Sequence, residues 1–187
     1  IARAPLDGSF AEPDVVTATG VHPFVVAIGG DDVYWTFRGT DDLGGVTVLA
    51  GGEAAEKLAT GHAAPSGLAV DSTGVYWQDS DGSVHMLPQG AGEPTELGPA
   101  EGVKGLVFAG EVRLDATHVY WTGAGADSCM APSCLCAGDP CPGNIWRAAK
   151  PDGARELFAA GDWLGVRGLA VDGEAVYWTT SDHRLMR

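Results

Sequence analysis

Short apolar runs alternate along the chain with clusters of glycine, proline and aspartate, and the runs are too short and too β-branched for helices. Four of them share one form: VVAIG at 25–29, GLAVD at 67–71, EVRLD at 111–115 and GLAVD at 168–172. Each reads as a buried strand, and three end in an aspartate suited to a turn. A link of about three residues then leads into VYW at 33–35, 75–77, 119–121 and 176–178, a second strand. A third strand follows in GGVTVLAGG, GSVHMLPQG and GNIWRAAKPDG, where polar and apolar positions alternate before turn residues. A fourth closes the unit in AEKLATG, PTELG and ARELFAAG.

The four tyrosines Tyr34, Tyr76, Tyr120 and Tyr177 lie 42, 44 and 57 residues apart, and the long interval contains a cysteine-rich insertion. A period near 40–45 built from four short strands describes a β-propeller blade. The expected fold is therefore all-β, a propeller of four-stranded antiparallel blades with about four blades in this chain. The repeats, in "GLAVD…VYWTT" and "GLAVD…VYWQD" with the turns "RAPLDGS" and "AAKPDGA", resemble bacterial propeller repeats of the YWTD and NHL-like kind. The complete YWTD tetrapeptide is absent; the chain has YWTF, YWQD, YWTG and YWTT. The resemblance implies the propeller fold. It leaves function open, because such propellers bind proteins, sugars or small ligands, or act as enzymes. A large aromatic repeated four times reads as filler between blades, each ring burying roughly 150–250 Å².

IARAPLDGS at 1–9 aligns with IWRAAKPDGA at 145–154, and Leu185-Met186-Arg187 aligns with Ile1-Ala2-Arg3. The expected organisation is one domain over 1–187. It comprises strands of a split blade at 1–20, blades at 21–62, 63–104 and 105–161, and the remainder of the split blade at 162–187. The Cys-rich insertion occupies 125–143 of the third blade. A closed four-bladed ring is the favoured expectation, with both ends competing for one strand-three position. The alternative is a piece of a larger propeller, whose bare blade edges would self-associate. The closed ring would be a monomer.

Charge narrows the partners. The net charge is −14 and the sequence pI is near 4.5. Such a surface repels nucleic-acid backbones, so no nucleic-acid partner is expected. No run of 18 apolar residues occurs, so no membrane-spanning helix is expected.

Cys129, Cys134, Cys136 and Cys141 are spaced C-x4-C-x-C-x4-C. Two disulfides would staple the loop, in any of three pairings. Zinc is the rival, but its usual C-x2-C pairs are missing. Disulfides imply an oxidising compartment, so the chain is expected to be secreted, periplasmic or on a cell surface. In the innermost strand, Glu111 and Arg113 replace the small or apolar residues of the other blades. They would pair with each other or meet a ligand. Loops before the first strands carry Phe24, His62, Trp163 and Arg167, groups that can stack on or hydrogen-bond a sugar or peptide. DSDGS at 79–83 resembles part of a calcium loop, but the downstream glutamate is absent and a hairpin turn explains it. No HExxH, GxSxG, Walker or Rossmann pattern is present, so no catalytic residue, metal ligand or cofactor is assigned. The expected function is non-catalytic binding of a protein or carbohydrate through one propeller face. The alternatives are a lactonase- or lyase-like enzyme with a channel-mouth site, and a structural piece assembling through an incomplete blade.

Overall fold

The computed structural model describes residues 2–3, 14–15, 22–39, 43–52, 54–90, 92–98, 110–124 and 142–187. All regular structure among them is β-strand. Two short strands, β1 (Ala2–Arg3) and β2 (Asp14–Val15), pair with each other. The first blade then takes β3 (His22–Gly29), β4 (Asp32–Arg38), β5 (Leu43–Leu49) and β6 (Ala55–Ala63). The second takes β7 (Gly67–Asp71), β8 (Gly74–Gln78), β9 (Val84–Pro88) and β10 (Thr95–Gly98). The third takes β11 (Val112–Leu114), β12 (His118–Ala124), β13 (Pro142–Ala149) and β14 (Arg155–Leu164). The fourth has β15 (Val166–Val171), β16 (Val176–Thr180) and β17 (Leu185–Met186). Every pairing is antiparallel and strands follow in sequence order within a blade, so hairpins make each sheet. The first strands adjoin in the order β3, β7, β11, β15, and these sheets are the blades of a β-propeller.

The aromatic tripeptide works by strand alternation. Successive side chains of a strand point to opposite faces, so Val and Trp of each motif share one face and Tyr takes the other. Tyr34 packs with Val46 and Val48 of its own blade and with Val75 and Trp77 of the second. Tyr76 packs with Met86 and with Val119 and Trp121 of the third. Tyr120 packs with Ile145 and with Val176 and Trp178 of the fourth. Each junction therefore joins the tyrosine of one blade to the tryptophan of the next. Trp35 and Trp77 are wholly buried and Trp121 is 2% exposed, as the filler reading requires.

The aspartates that end the first strands fold the hairpins. Asp71 accepts from the backbone and hydroxyl of Thr73, Asp115 from Thr117 and the His118 amide, and Asp172 from the Glu174 and Ala175 amides. The Tyr120 hydroxyl donates to the other oxygen of Asp115 at 2.8 Å, tying the packed ring to its own turn. Lys150, 4% exposed, bridges from the third blade to the Asp71 carboxylate of the second. Near the axis the backbones come close: a Cβ on Gly67 would lie 2.8 Å from the Gly110 carbonyl oxygen, so only glycine fits.

The described residues show two parts of the split blade. β17 pairs with β16 and takes the strand-three position, whereas β1 pairs with β2 in a separate sheet. Residues 16–20, which a closed ring needs as a fourth strand, lie outside the described residues, as do the four cysteines. Trp35, whose face would meet Tyr177 on closure, packs with Phe37 and Leu49 of its own blade. Phe24, Val26 and Ile28, on the side of β3 turned away from the second blade, are 52%, 55% and 65% exposed.

Trp121→Ala removes a ring from the junction of the second and third blades. Urea unfolding should show a loss of about 3–5 kcal/mol, the range for large aromatic truncations in cores.

Candidate functional site

The antiparallel blades bring one set of chain segments to one end of the molecule. First strands begin there, second strands end there, third strands begin and fourth strands end, as the pairs His22 with Arg38, Leu43 with Ala63 and Gly67 with Gln78 show. The Cys-rich insertion leaves from Ala124 and returns at Pro142 at this same end.

A compact polar cluster sits on this face between the first and second blades. Asp79, directly after β8, places its Oδ2 3.1 Å from Nδ1 of His62 and 3.3 Å from Nε2 of His85. The Asp79 side chain is 4% exposed, and those of His62 and His85 are 15% and 14% exposed. The two imidazole centroids are 4.6 Å apart. Trp77 forms the floor, stacked on His85 at 5.5 Å and edge-on to His62 at 5.0 Å. Ser83 Oγ lies 3.2 Å from His85 Nε2 and donates to Asp81 at 2.6 Å.

Local chain geometry explains the convergence. Asp79 to Ser83 is a tight turn, closed by the Asp79 amide to Ser83 carbonyl bond at 2.9 Å, with Gly82 at φ +90°. This confirms DSDGS as a turn. Ser80 fastens it to the first blade: its amide and hydroxyl both donate to the Ala63 carbonyl at 2.8 Å. On β6, Gly45 pairs with Thr60 but Gly44 pairs with His62, leaving Gly61 as an extra residue at φ +80°. Such a bulge shifts the alternation by one and re-aims the next side chain, which turns His62 toward Asp79.

Electrostatics favour an ionised Asp79. Burial alone would raise its pKa, but the hydrogen bonds from His62 and His85 outweigh burial and hold it below the usual aspartate value. Its second oxygen, Oδ1, is buried with no hydrogen-bond partner among the described residues. Two imidazoles and one carboxylate can share protons or give lone pairs to a metal ion, and their ligand atoms all lie within 4.8 Å of one another.

The other sequence-predicted residues do not converge on this cluster. Phe24 is exposed under the Arg38 guanidinium, 4.7 Å from its ring centroid. Arg167 is exposed, and its Nε donates to Ser181 at 2.8 Å. Glu111 and Arg113 pair with each other at 2.5 Å, which neutralises the two charges in the inner strand. Trp163 is a correction: it is 7% exposed and packs on Trp178 at 5.5 Å, so it fills a blade junction and presents no stacking surface. Sequence reasoning found His62 but missed Asp79 and His85. A groove of about 400 Å³ between the outer parts of the first two blades is lined by Asp32, Tyr34, Glu56, Lys57 and Leu87, and holds none of the predicted residues.

No family model and no curated protein matches the chain. Solved structures do match. A chain in the crystal structure of a nidogen/laminin complex is similar at 19% identity, with a TM-score of 0.56, over 84% of this chain and 57% of that one. The N-terminal domain of Nup159 is similar at 10% identity, with a TM-score of 0.50, over 92% of this chain and 50% of that one. This chain thus spans 57% and 50% of their lengths, about half of each. At these identities the likeness is one of fold, the β-propeller.

Asp79→Asn tests the charge. A carboxylate whose folded pKa lies below its unfolded value stabilises the fold above the unfolded value, about 4, and loses that contribution as pH falls through the folded one. The variant should be less stable at pH 7 by about 1–3 kcal/mol. Its urea midpoint should also fall less than that of the unsubstituted protein between about pH 5 and pH 3.

Proposed function

We propose that this chain is a non-catalytic binding module that takes a protein or carbohydrate ligand on the propeller face bearing the His62–Asp79–His85 cluster and the base of the Cys-rich insertion. The carrying observation is the gathering of departures from the repeat at one end of otherwise uniform blades. Phe24 and Arg167 offer an exposed ring and an exposed guanidinium there, with the half-buried Arg38 over the Phe24 ring. The insertion enters and leaves at the same end. Insertions and conspicuous surface groups on one rim of a rigid repeat scaffold are how such scaffolds gain ligands. One fold neighbour comes from a nidogen/laminin complex, which supports a protein ligand. We further propose that the repeats are of the bacterial YWTD/NHL-like kind, and that the module is exported with its four cysteines paired as disulfides.

An enzyme with a channel-mouth site would need its reactive groups on the inner strands. The cluster comes from a fourth strand, a turn and a third strand, away from β3, β7 and β11. The binding function is therefore favoured over a lactonase- or lyase-like one.

The labelled protein is screened on a glycan array and by proximity labelling on expressing cells, and hits are quantified by interferometry. Phe24→Asp and Arg167→Glu should each weaken binding at least tenfold, about 1.4 kcal/mol. Glu174→Arg, on a hairpin at the opposite end, should leave it unchanged. Loss through Glu174→Arg alone would place the ligand on the other face.

A further inference from the structure

We propose that His62, Asp79 and His85 form a three-ligand site for a divalent ion of the zinc class, with the remaining coordination position open to the propeller surface. The donor set is chemically selective. Two imidazole nitrogens and one carboxylate suit zinc, cobalt, nickel or copper, whereas calcium and magnesium take oxygen shells.

Two of the three ligand separations are in place. A tetrahedral ion with bonds of about 2.0–2.2 Å sets its ligand atoms roughly 3.3–3.5 Å apart. His62 Nδ1 and His85 Nε2 already lie 3.1 and 3.3 Å from Asp79 Oδ2. The three ligand atoms lie within 4.8 Å of one another, so the two imidazole nitrogens have to rotate toward each other to close the third edge around the ion.

A second observation points the same way. Asp79 is a buried carboxylate whose Oδ1 has no partner among the described residues. A buried anion with an unmet oxygen is costly, and a cation held by both carboxylate oxygens would satisfy it. On binding, each coordinating ring nitrogen gives its lone pair to the ion. The proton it shared with Asp79 moves to the other ring nitrogen or to solvent. Because His62 belongs to the first blade and Asp79 and His85 to the second, the ion would also clasp two blades. This site does not depend on the proposed ligand-binding function, because it stands on the cluster alone.

The cysteines are the competing metal donors, so the test separates thiolate from imidazole ligation. The full chain is prepared with Cys129, Cys134, Cys136 and Cys141 all changed to Ser, stripped with chelator, and titrated with zinc by calorimetry and with cobalt by absorption. The expected result is one equivalent bound stoichiometrically at micromolar protein, with cobalt d–d bands and no thiolate charge-transfer band. Cobalt should also quench tryptophan fluorescence, because Trp77 stacks on His85. His62→Gln and His85→Gln should each weaken binding at least tenfold. His62→Cys should retain binding and introduce a thiolate charge-transfer band, which holds the proposal to account even if a Gln variant unfolds. Absence of zinc and cobalt binding in the Cys-free chain would overturn the proposal. So would unchanged affinity in folded His62→Gln and His85→Gln chains, or a His62→Cys spectrum lacking the new band.

Discussion

The alternation of Val, Tyr and Trp along each second strand is the constraint on which the other features rest. A single sheet with two apolar faces cannot be stable alone in water. Each blade must cover its neighbour, at ~25 cal/mol per Å² of apolar surface removed. Putting Trp and Val on one face and Tyr on the other makes every junction the same joint: Tyr34 with Trp77, Tyr76 with Trp121, Tyr120 with Trp178. The residue after Trp extends the device. Thr36 and Thr122 are buried, and their hydroxyls accept from the amides of Val25 in β3 and of Glu111 just before β11, satisfying donors that the ladder leaves free. The tyrosine hydroxyl at Asp115 and the Lys150 bridge to Asp71 fasten the hairpins at the far end.

The blades were legible because their signals are local and repeated. Period-2 alternation, the Asp that closes three of the hairpins and the spacing of the tyrosines all survive in the three-dimensional structure. Other features were out of reach because they depend on packing between segments. Trp163 looks like any loop aromatic in sequence, and only the proximity of Trp178 turns it inward. The strand-three position of the fourth blade was contested by two similar segments. Leu185–Met186 takes it beside β16, being joined to that strand by a short hairpin.

The His62–Asp79–His85 cluster was hidden because His62 comes from the first blade while Asp79 and His85 come from the second, and only the fold brings them together. The signal was nevertheless present as a departure from the internal repeat. Asp79 stands where the other blades have Phe37, Gly123 and Thr180, and its neighbour Gln78 replaces the repeated Thr. Both changes have structural consequences. Gln78 is buried and donates across the junction to the Thr122 carbonyl at 2.8 Å, while Asp79 draws in the two histidines. The bulge at Gly61 completes the arrangement from the facing blade. A uniform scaffold thus makes its exceptions informative: where one blade gives up its packing residue, a polar group of the neighbour takes up the contact.

The central claim is that each motif's tyrosine and tryptophan serve opposite junctions. A double-mutant cycle decides it, with Tyr76→Leu combined first with Trp121→Leu and then with Trp77→Leu, each followed by urea unfolding. Tyr76 and Trp121 share a cluster across the blade junction, so their coupling should reach about 0.5–3 kcal/mol. Tyr76 and Trp77 are adjacent in sequence but face apart, so their effects should add within about 0.5 kcal/mol. Strong coupling of the sequence neighbours, with none between Tyr76 and Trp121, would contradict this account of how the blades are joined.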